Sequence, residues 1–284
     1  MVKGLVLPSS IVSLSRISNH YLNIYIIQEE TMEITDQQVE HFHRNGFFFI
    51  PNPLGEQTMR AVDQRQRDVE PEWEKTEFPK GLNRGACQFL MMGEVLLQLV
   101  ERPELVAMAR RILGCDEVHI GACGLGDASK IVSSDGRMQQ QVQWHADGSP
   151  EVKQVSLRTA LDRHDVSNAP LRVLPGTHLR SRAEVTEELR HVEIATGRHE
   201  KMPELFFAKH PLEVEVVLDP RWTLVWTPSC WHATGVKTGA GLRRAMAWNY
   251  FPAGGRKRDV DALKYLYKDE WEGWSDLRKQ LWGL

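Results

Sequence analysis

The chain has 284 residues, with 35 Lys and Arg against 38 Asp and Glu for a formal net charge of −3, and is 42% hydrophobic and 26% charged. That is the size of one large domain and the balance of an ordinary globular protein, which excludes collagen-like, disordered and membrane-spanning classes. Without a basic excess, neither nucleic acid nor an anionic membrane surface is indicated as a partner.

The four cysteines (Cys87, Cys115, Cys123 and Cys230) include no CxxC pair and do not make a disulfide scaffold. They read as reduced thiols of a cytoplasmic protein. Nine tryptophans are the one unusual feature of the composition. Residues 1–31 carry only Lys3 and Arg16 as basic groups, Pro8 interrupts the early apolar run, and no small-residue cleavage signal follows. This reads as a poorly structured N-terminal extension, too short and polar to span a bilayer, ahead of a single domain at 32–284.

Thr35 and Gln38 form a capping box, and the helix that follows ends at Gly46. Phe47 to Ile50 is a short buried strand stopped by Pro51 and Pro53, and a second helix covers 55–70. Residues 71–92, with Pro71, Pro79, Gly81 and Gly85, are expected to be irregular, and Glu72–Met92 to form a lid offering Trp73, Phe78, Lys80, Arg84 and Gln88 to a substrate. Helices resume at 93–101 and 103–113, with Pro103 in the first turn and Gly114 at the end. From 116 onward the pattern is β, with strands expected at 117–124, 139–146, 152–162, 171–174, 213–218, 222–227 and 243–251. One helix is expected near 182–190 and one within 257–283. A second loop near 192–210 offers Arg198, Lys201, Phe206 and Phe207. Helices followed by many short strands predict an α+β architecture with a sandwich or barrel core.

Gln143-Trp144-His145-Ala146-Asp147 sits at the end of a predicted strand, where alternation puts His145 and Asp147 on one face. An imidazole and a carboxylate so placed can share one divalent metal, and a second histidine would complete a 2-His-1-carboxylate set with open positions. With eleven histidines in the chain, about half an HxD is expected by chance. The rival His191-Val192-Glu193 follows a charged, helix-like run in which residues two apart diverge, so His191 reads as a solvated surface residue. The second ligand needs a strand exit, which His232 supplies 87 residues after His145. Arg243 opens an otherwise apolar strand, where a core-facing cation is costly unless a carboxylate pairs it. Arg244 would then face the other way and be solvated.

These motifs, taken in order, resemble the phytanoyl-CoA dioxygenase family of Fe(II)/2-oxoglutarate oxygenases. The likeness begins with His43-Arg44-Asn45-Gly46-Phe47-Phe48-Phe49-Ile50-Pro51-Asn52 and continues through the His145–Asp147 motif. It then takes in Asn168-Ala169-Pro170-Leu171-Arg172-Val173-Leu174-Pro175-Gly176-Thr177-His178, and closes with His232-Ala233-Thr234-Gly235 and Arg243. The resemblance implies a double-stranded β-helix (jelly-roll, cupin-like) core with flanking N-terminal helices. It implies Fe(II) on His145, Asp147 and His232, with 2-oxoglutarate and O2 as cosubstrates. It also implies that Arg243 holds the far carboxylate of 2-oxoglutarate, that Thr234 adds a hydroxyl donor, and that the substrate is a small molecule. His178 would be structural and Cys230 a small buried side chain. Lys237 stands where the family commonly has asparagine, a departure in the loop. Because Asp147 is present, hydroxylation rather than halogenation is implied.

Arg158 shares a face with Ser156 and Ala160 in the strand 152–162. If that face lines the barrel, Arg158 needs an anion, from cosubstrate or substrate; otherwise it is a surface arginine near Asp162. Two other classes share the ligand types: a catalytically silent jelly-roll binding protein, and a zinc hydrolase, which has no use for Arg243 or Thr234.

Overall fold

Thr35 Oγ1 accepts from the Gln38 N–H while the Gln38 side chain accepts from the Thr35 N–H at 2.8 Å, and this reciprocal box starts α1 (Asp36–Asn45). Gly46 ends it with φ 90°, turning the chain directly into β1 (Phe47–Pro51). The structure is a computed structural model and describes residues 32–127, 143–148, 151–196, 206–235, 237–255 and 259–284. The expected extension at 1–31, residues 139–142 of one expected strand, and Arg198 and Lys201 lie outside the described residues.

α2 (Gly55–Lys75) runs through Pro71, which lies on its exposed side, where solvent can replace the N–H lost to the preceding turn. α3 (Arg84–Met91) is capped by Asn83, and α4 (Glu94–Val100) and α5 (Pro103–Leu113) follow. The expected lid at Glu72–Met92 is therefore corrected: only residues 76–83 and Met92 lie between helices. Trp73 is buried, Phe78 packs against the helical core, and Arg84 Nη2 donates to the Trp73 carbonyl at 3.2 Å. The apolar positions Ala86, Cys87, Phe89 and Leu90 recur at helical spacing, and this outweighs the local glycines and prolines.

β2 (Val118–Asp127), β3 (Val155–Ala160), β4 (Leu171–Val173), α6 (Arg182–Ala195), β5 (Val214–Val216), β6 (Trp222–Trp226), β7 (His232–Thr234) and β8 (Arg244–Pro252) complete the sandwich. The chain ends in α7 (Val260–Tyr267) and α8 (Asp276–Trp282), joined through a 3-10 turn, where one helix was expected. Of the expected strand 139–146, the described part makes a single bridge, His145 to His232.

Two antiparallel sheets result, ordered β1-β6-β3-β8-β2 and β5-β4-β7. Side-chain alternation sorts the larger sheet into two faces. Val155, Leu157, Met246, Trp248 and Tyr250 join the core formed with the helices. The opposite face packs Phe47, Ala160, Leu224 and Trp226 against Leu171, Val173 and Val216 of the smaller sheet. Behind the smaller sheet, α6 buries Val185 and Leu189 against Trp144, Trp231 and Ala233.

Arg244 is a second correction. It is buried rather than solvated, because Asp162 takes its Nε and Nη2 at 2.9 Å each and Asp63 of α2 takes Nη1 at 2.8 Å. These carboxylates raise its pKa and tie α2 to one end of the larger sheet.

Candidate metal centre

His145 and His232 are brought together by a reciprocal backbone pair: His145 N–H to the His232 carbonyl at 2.9 Å, and His232 N–H to the His145 carbonyl at 2.8 Å. Each imidazole then places Nδ1 on the carbonyl two residues earlier, Gln143 for His145 and Cys230 for His232, at 2.8 Å in both cases. An Nδ1–H donated to a carbonyl leaves the Nε2 lone pair free, the tautomer a metal ligand needs. The two rings lie 4.2 Å apart between centroids. Asp147 follows on the same face, its N–H held by the Pro228 carbonyl at 2.9 Å. Its Oδ2 is 3.8 Å from His232 Nε2.

One ligand atom from each of His145, Asp147 and His232 falls within 4.8 Å of the others. A cation bound at ~2.1 Å wants such atoms roughly 3–3.5 Å apart, so a small rotation of the exposed Asp147 carboxylate closes the set. Two neutral nitrogens and one carboxylate, with the remaining side open, fit a ferrous non-haem centre. Burial and the neighbouring His145 lower the His232 pKa to about 4, which keeps that ring neutral and able to ligate at pH 7.

The loop bearing His145 and Asp147 is fixed from behind. Trp144 Nε1 donates to the Ala208 carbonyl at 3.0 Å, and the Arg172 guanidinium lies 4.7 Å over the indole, itself paired with Glu213 at 2.6 Å. Arg182 at the start of α6 donates to the carbonyls of Ala146 and Gly148, on either side of Asp147.

Thr234 shares the inward face of β7 with His232, since Ala233 points to the α6 side. Arg243 is buried just before β8 and donates Nε–H to the Ala169 carbonyl at 2.7 Å. Arg158 faces the space between the sheets, not solvent near Asp162; Asp162 belongs to Arg244. Burial lowers the pKa of Arg158, and its Nε lies sealed without a hydrogen-bond partner among the described residues. Of the six expected site residues, His145, Asp147 and His232 come together, while Thr234, Arg158 and Arg243 lie on, or directly before, strands that adjoin them. His178 stays out of it, with Nε2 on the His43 carbonyl at 3.1 Å. Burial raises the neighbouring Cys230 thiol to about 11. His191 is exposed on α6, and Glu193 turns inward to accept the Phe207 and Ala208 N–H groups. Lys237 closes its loop with its ammonium on Asn168 Oδ1 at 3.0 Å and the Gly239 carbonyl at 2.8 Å.

Sequence reasoning missed a polar relay beside the triad. Ser156 donates to Asn249 Oδ1 at 2.9 Å, Asn249 to Gln154 Oε1 at 3.0 Å, and Gln154 to the Asp147 carbonyl at 3.3 Å. Gln154 and Asn249 of the relay, with Asp147, border a cavity of about 540 Å³ whose lining includes Phe251 and Lys153. The signal was present in the alternation of Ala245, Ala247 and Asn249 between Met246, Trp248 and Tyr250: small or polar residues on one face of an otherwise bulky strand.

Comparison with known proteins bears on the family and the fold. The family model of phytanoyl-CoA dioxygenase (PhyH) matches residues 42–245. The ectoine dioxygenase of Bordetella parapertussis is 26% identical over 160 residues, covering 51% of this chain and 50% of the relative, so the chain spans about half the length of the curated relatives it matches. Among solved structures, EctD from S. alaskensis with bound Fe superposes with a TM-score of 0.56 at 18% identity, covering 81% of each chain. The non-heme alpha ketoglutarate dependent carbocyclase SnoK from nogalamycin biosynthesis gives 0.56 at 18%, covering 80% of this chain and 88% of its own. At such identities these structures establish the jelly-roll fold. The match over most of the chain, with the ordered motifs from His43 to Arg243, makes this protein a member of the phytanoyl-CoA dioxygenase family.

Proposed function

We propose that the protein is a non-haem Fe(II)- and 2-oxoglutarate-dependent dioxygenase that hydroxylates an unactivated C–H bond of a small organic molecule. The observation that carries this reading is the convergence of His145, Asp147 and His232 beside a cavity of about 540 Å³, with both imidazoles locked in the ligating tautomer. When bound, the metal and its cosubstrates supply oxidation of the substrate C–H, with 2-oxoglutarate and O2 consumed and succinate, CO2 and the alcohol formed.

The chain's own groups do the rest. His145, Asp147 and His232 would hold the cation. Arg243 takes the far carboxylate of 2-oxoglutarate in a charge-assisted pair, and Thr234 adds a hydroxyl donor from the same interior face as His232. Trp226, edge-on to the His232 ring at 4.7 Å, seals that side from water. The substrate enters from the cavity side, where Gln154 and Asn249 offer amides. The four cysteines are free thiols, in keeping with a reducing, cytoplasmic setting. Nucleic acid and membrane have no part in this reading; among the described residues no helix is long and apolar enough to cross a bilayer.

The test is succinate release from 2-oxoglutarate with Fe(II) and O2, stimulated by members of a metabolite panel headed by ectoine, the compound in the name of the Bordetella relative. His145→Ala and Asp147→Ala should each abolish the stimulated release. Undiminished turnover in both variants would overturn the reading.

A further inference from the structure

We propose that Arg158 is a second guanidinium for the 2-oxo acid cosubstrate, set at the end nearer the metal; this rests on the oxygenase reading above. Two buried arginines of the sheets have visible counter-charges: Asp162 and Asp63 for Arg244, Glu213 for Arg172. Arg158 makes no hydrogen bond or ion pair among the described residues, and no carboxylate contributes to its electrostatics. Arg158 is half-buried with its Nε sealed; a cation so far withdrawn from water without a counter-charge is costly, so its place between the sheets points to a bound anion.

Strand register gives its level in the chamber. Trp226 touches the His232 ring and pairs with Ser156, which places the triad level with the row Trp226–Ser156–Asn249. Arg158 lies one row further, ~7 Å along the strand, flanked by Leu224 and Ala247. The next row is Ala160 and Ala245, and Arg243 lies beyond it. A ligand reaching from the triad towards Arg243 therefore passes Arg158. Space for it exists because Ala247 and its neighbour Gly124 have almost no side chain in that row. The charges of Arg158 and Arg243 both act on the buried His164, which fits two guanidinium groups sharing one chamber. Two cations match the two carboxylates of 2-oxoglutarate: Arg243 at the far end, Arg158 at the chelating end.

Calorimetric titration of Ni(II)-loaded protein tests this without turnover, using 2-oxoglutarate and 2-oxopentanoate, which lacks the far carboxylate. Arg158→Gln should weaken both acids, on the order of tenfold or more, whereas Arg243→Gln should weaken 2-oxoglutarate and leave 2-oxopentanoate nearly unchanged. Arg158→Lys should recover much of the loss, and the ligand-free melting temperature of Arg158→Gln should equal or exceed that of the wild type. Unchanged 2-oxoglutarate affinity in Arg158→Gln overturns the assignment and leaves the oxygenase reading standing. A clear drop in its ligand-free melting temperature also overturns it, since the side chain would then be structural. Wild-type protein that binds neither acid overturns both.

Discussion

His164 shows how the chamber's cations act on a single side chain. It is buried, its Nε2 lies 3.2 Å from the Arg244 carbonyl, and burial with the charges of Arg158 and Arg243 lowers its pKa to about 3. The unfolded chain takes up this proton near pH 6.5 while the folded protein refuses it, so the contribution to stability is complete above 6.5 and is lost as pH falls towards 3. Between pH 6.5 and 5.5 this should cost about 1 kcal/mol of unfolding free energy. Urea unfolding of the wild type and His164→Gln at both pH values checks it: the variant should lose that much less. Equal losses would contradict the assignment. The candidate ligands were legible in the sequence because HxD and a histidine following an apolar strand are local patterns, although His145 makes only an isolated bridge and His232 opens β7. The relay through Ser156, Asn249 and Gln154 was not, because its members come from different strands and only pairing makes them neighbours. Arg244 misled for the same reason: alternation gave its direction correctly, but its partners Asp63 and Asp162 are distant in sequence.

At the scale of elements, the turn from α1 to β1 couples the N-terminal helix to the segment that carries His232. Gly46 adopts φ 90°, its carbonyl accepts the Thr227 N–H at 2.9 Å, and a Cβ there would collide with Cys230 Sγ, two residues from His232. Gly46→Ala combines a left-handed backbone penalty of about 1–2 kcal/mol with overpacking of similar size. It should lower the melting temperature clearly and weaken metal binding, measured by thermal unfolding with and without Ni(II). A wild-type melting temperature would refute this account of the turn. Capping residues made α1 and α5 legible from Thr35, Gly46, Pro103 and Gly114. The supposed lid failed because Pro71 and the glycines around 81–85 were weighted above the helical spacing of Ala86, Cys87, Phe89 and Leu90. β7 is only three residues long, and its pairing with Leu171 to Val173 carries no sequence pattern of its own.

On the scale of the whole molecule, three cores meet at the sheets, and each has one task. The helical core backs the larger sheet, the inter-sheet core closes one end of the chamber, and the α6 core steadies the His145–Asp147 loop through Trp144. We propose that residues 32–284 are the folding unit, and the capping box at Thr35 marks its start. The net charge of −3 conceals interior cations, among them Arg158 and Arg243, whose charges both act on the buried His164. The central claim is that this chamber binds a ferrous ion and 2-oxoglutarate together. Anaerobic titration of the metal-free protein with Fe(II) and then 2-oxoglutarate tests it most directly. The weak visible absorption of the metal–2-oxo acid chelate should appear at one equivalent in the wild type and be missing in His232→Ala. No absorption in the wild type, with Fe(II) and 2-oxoglutarate both in excess, would contradict the account.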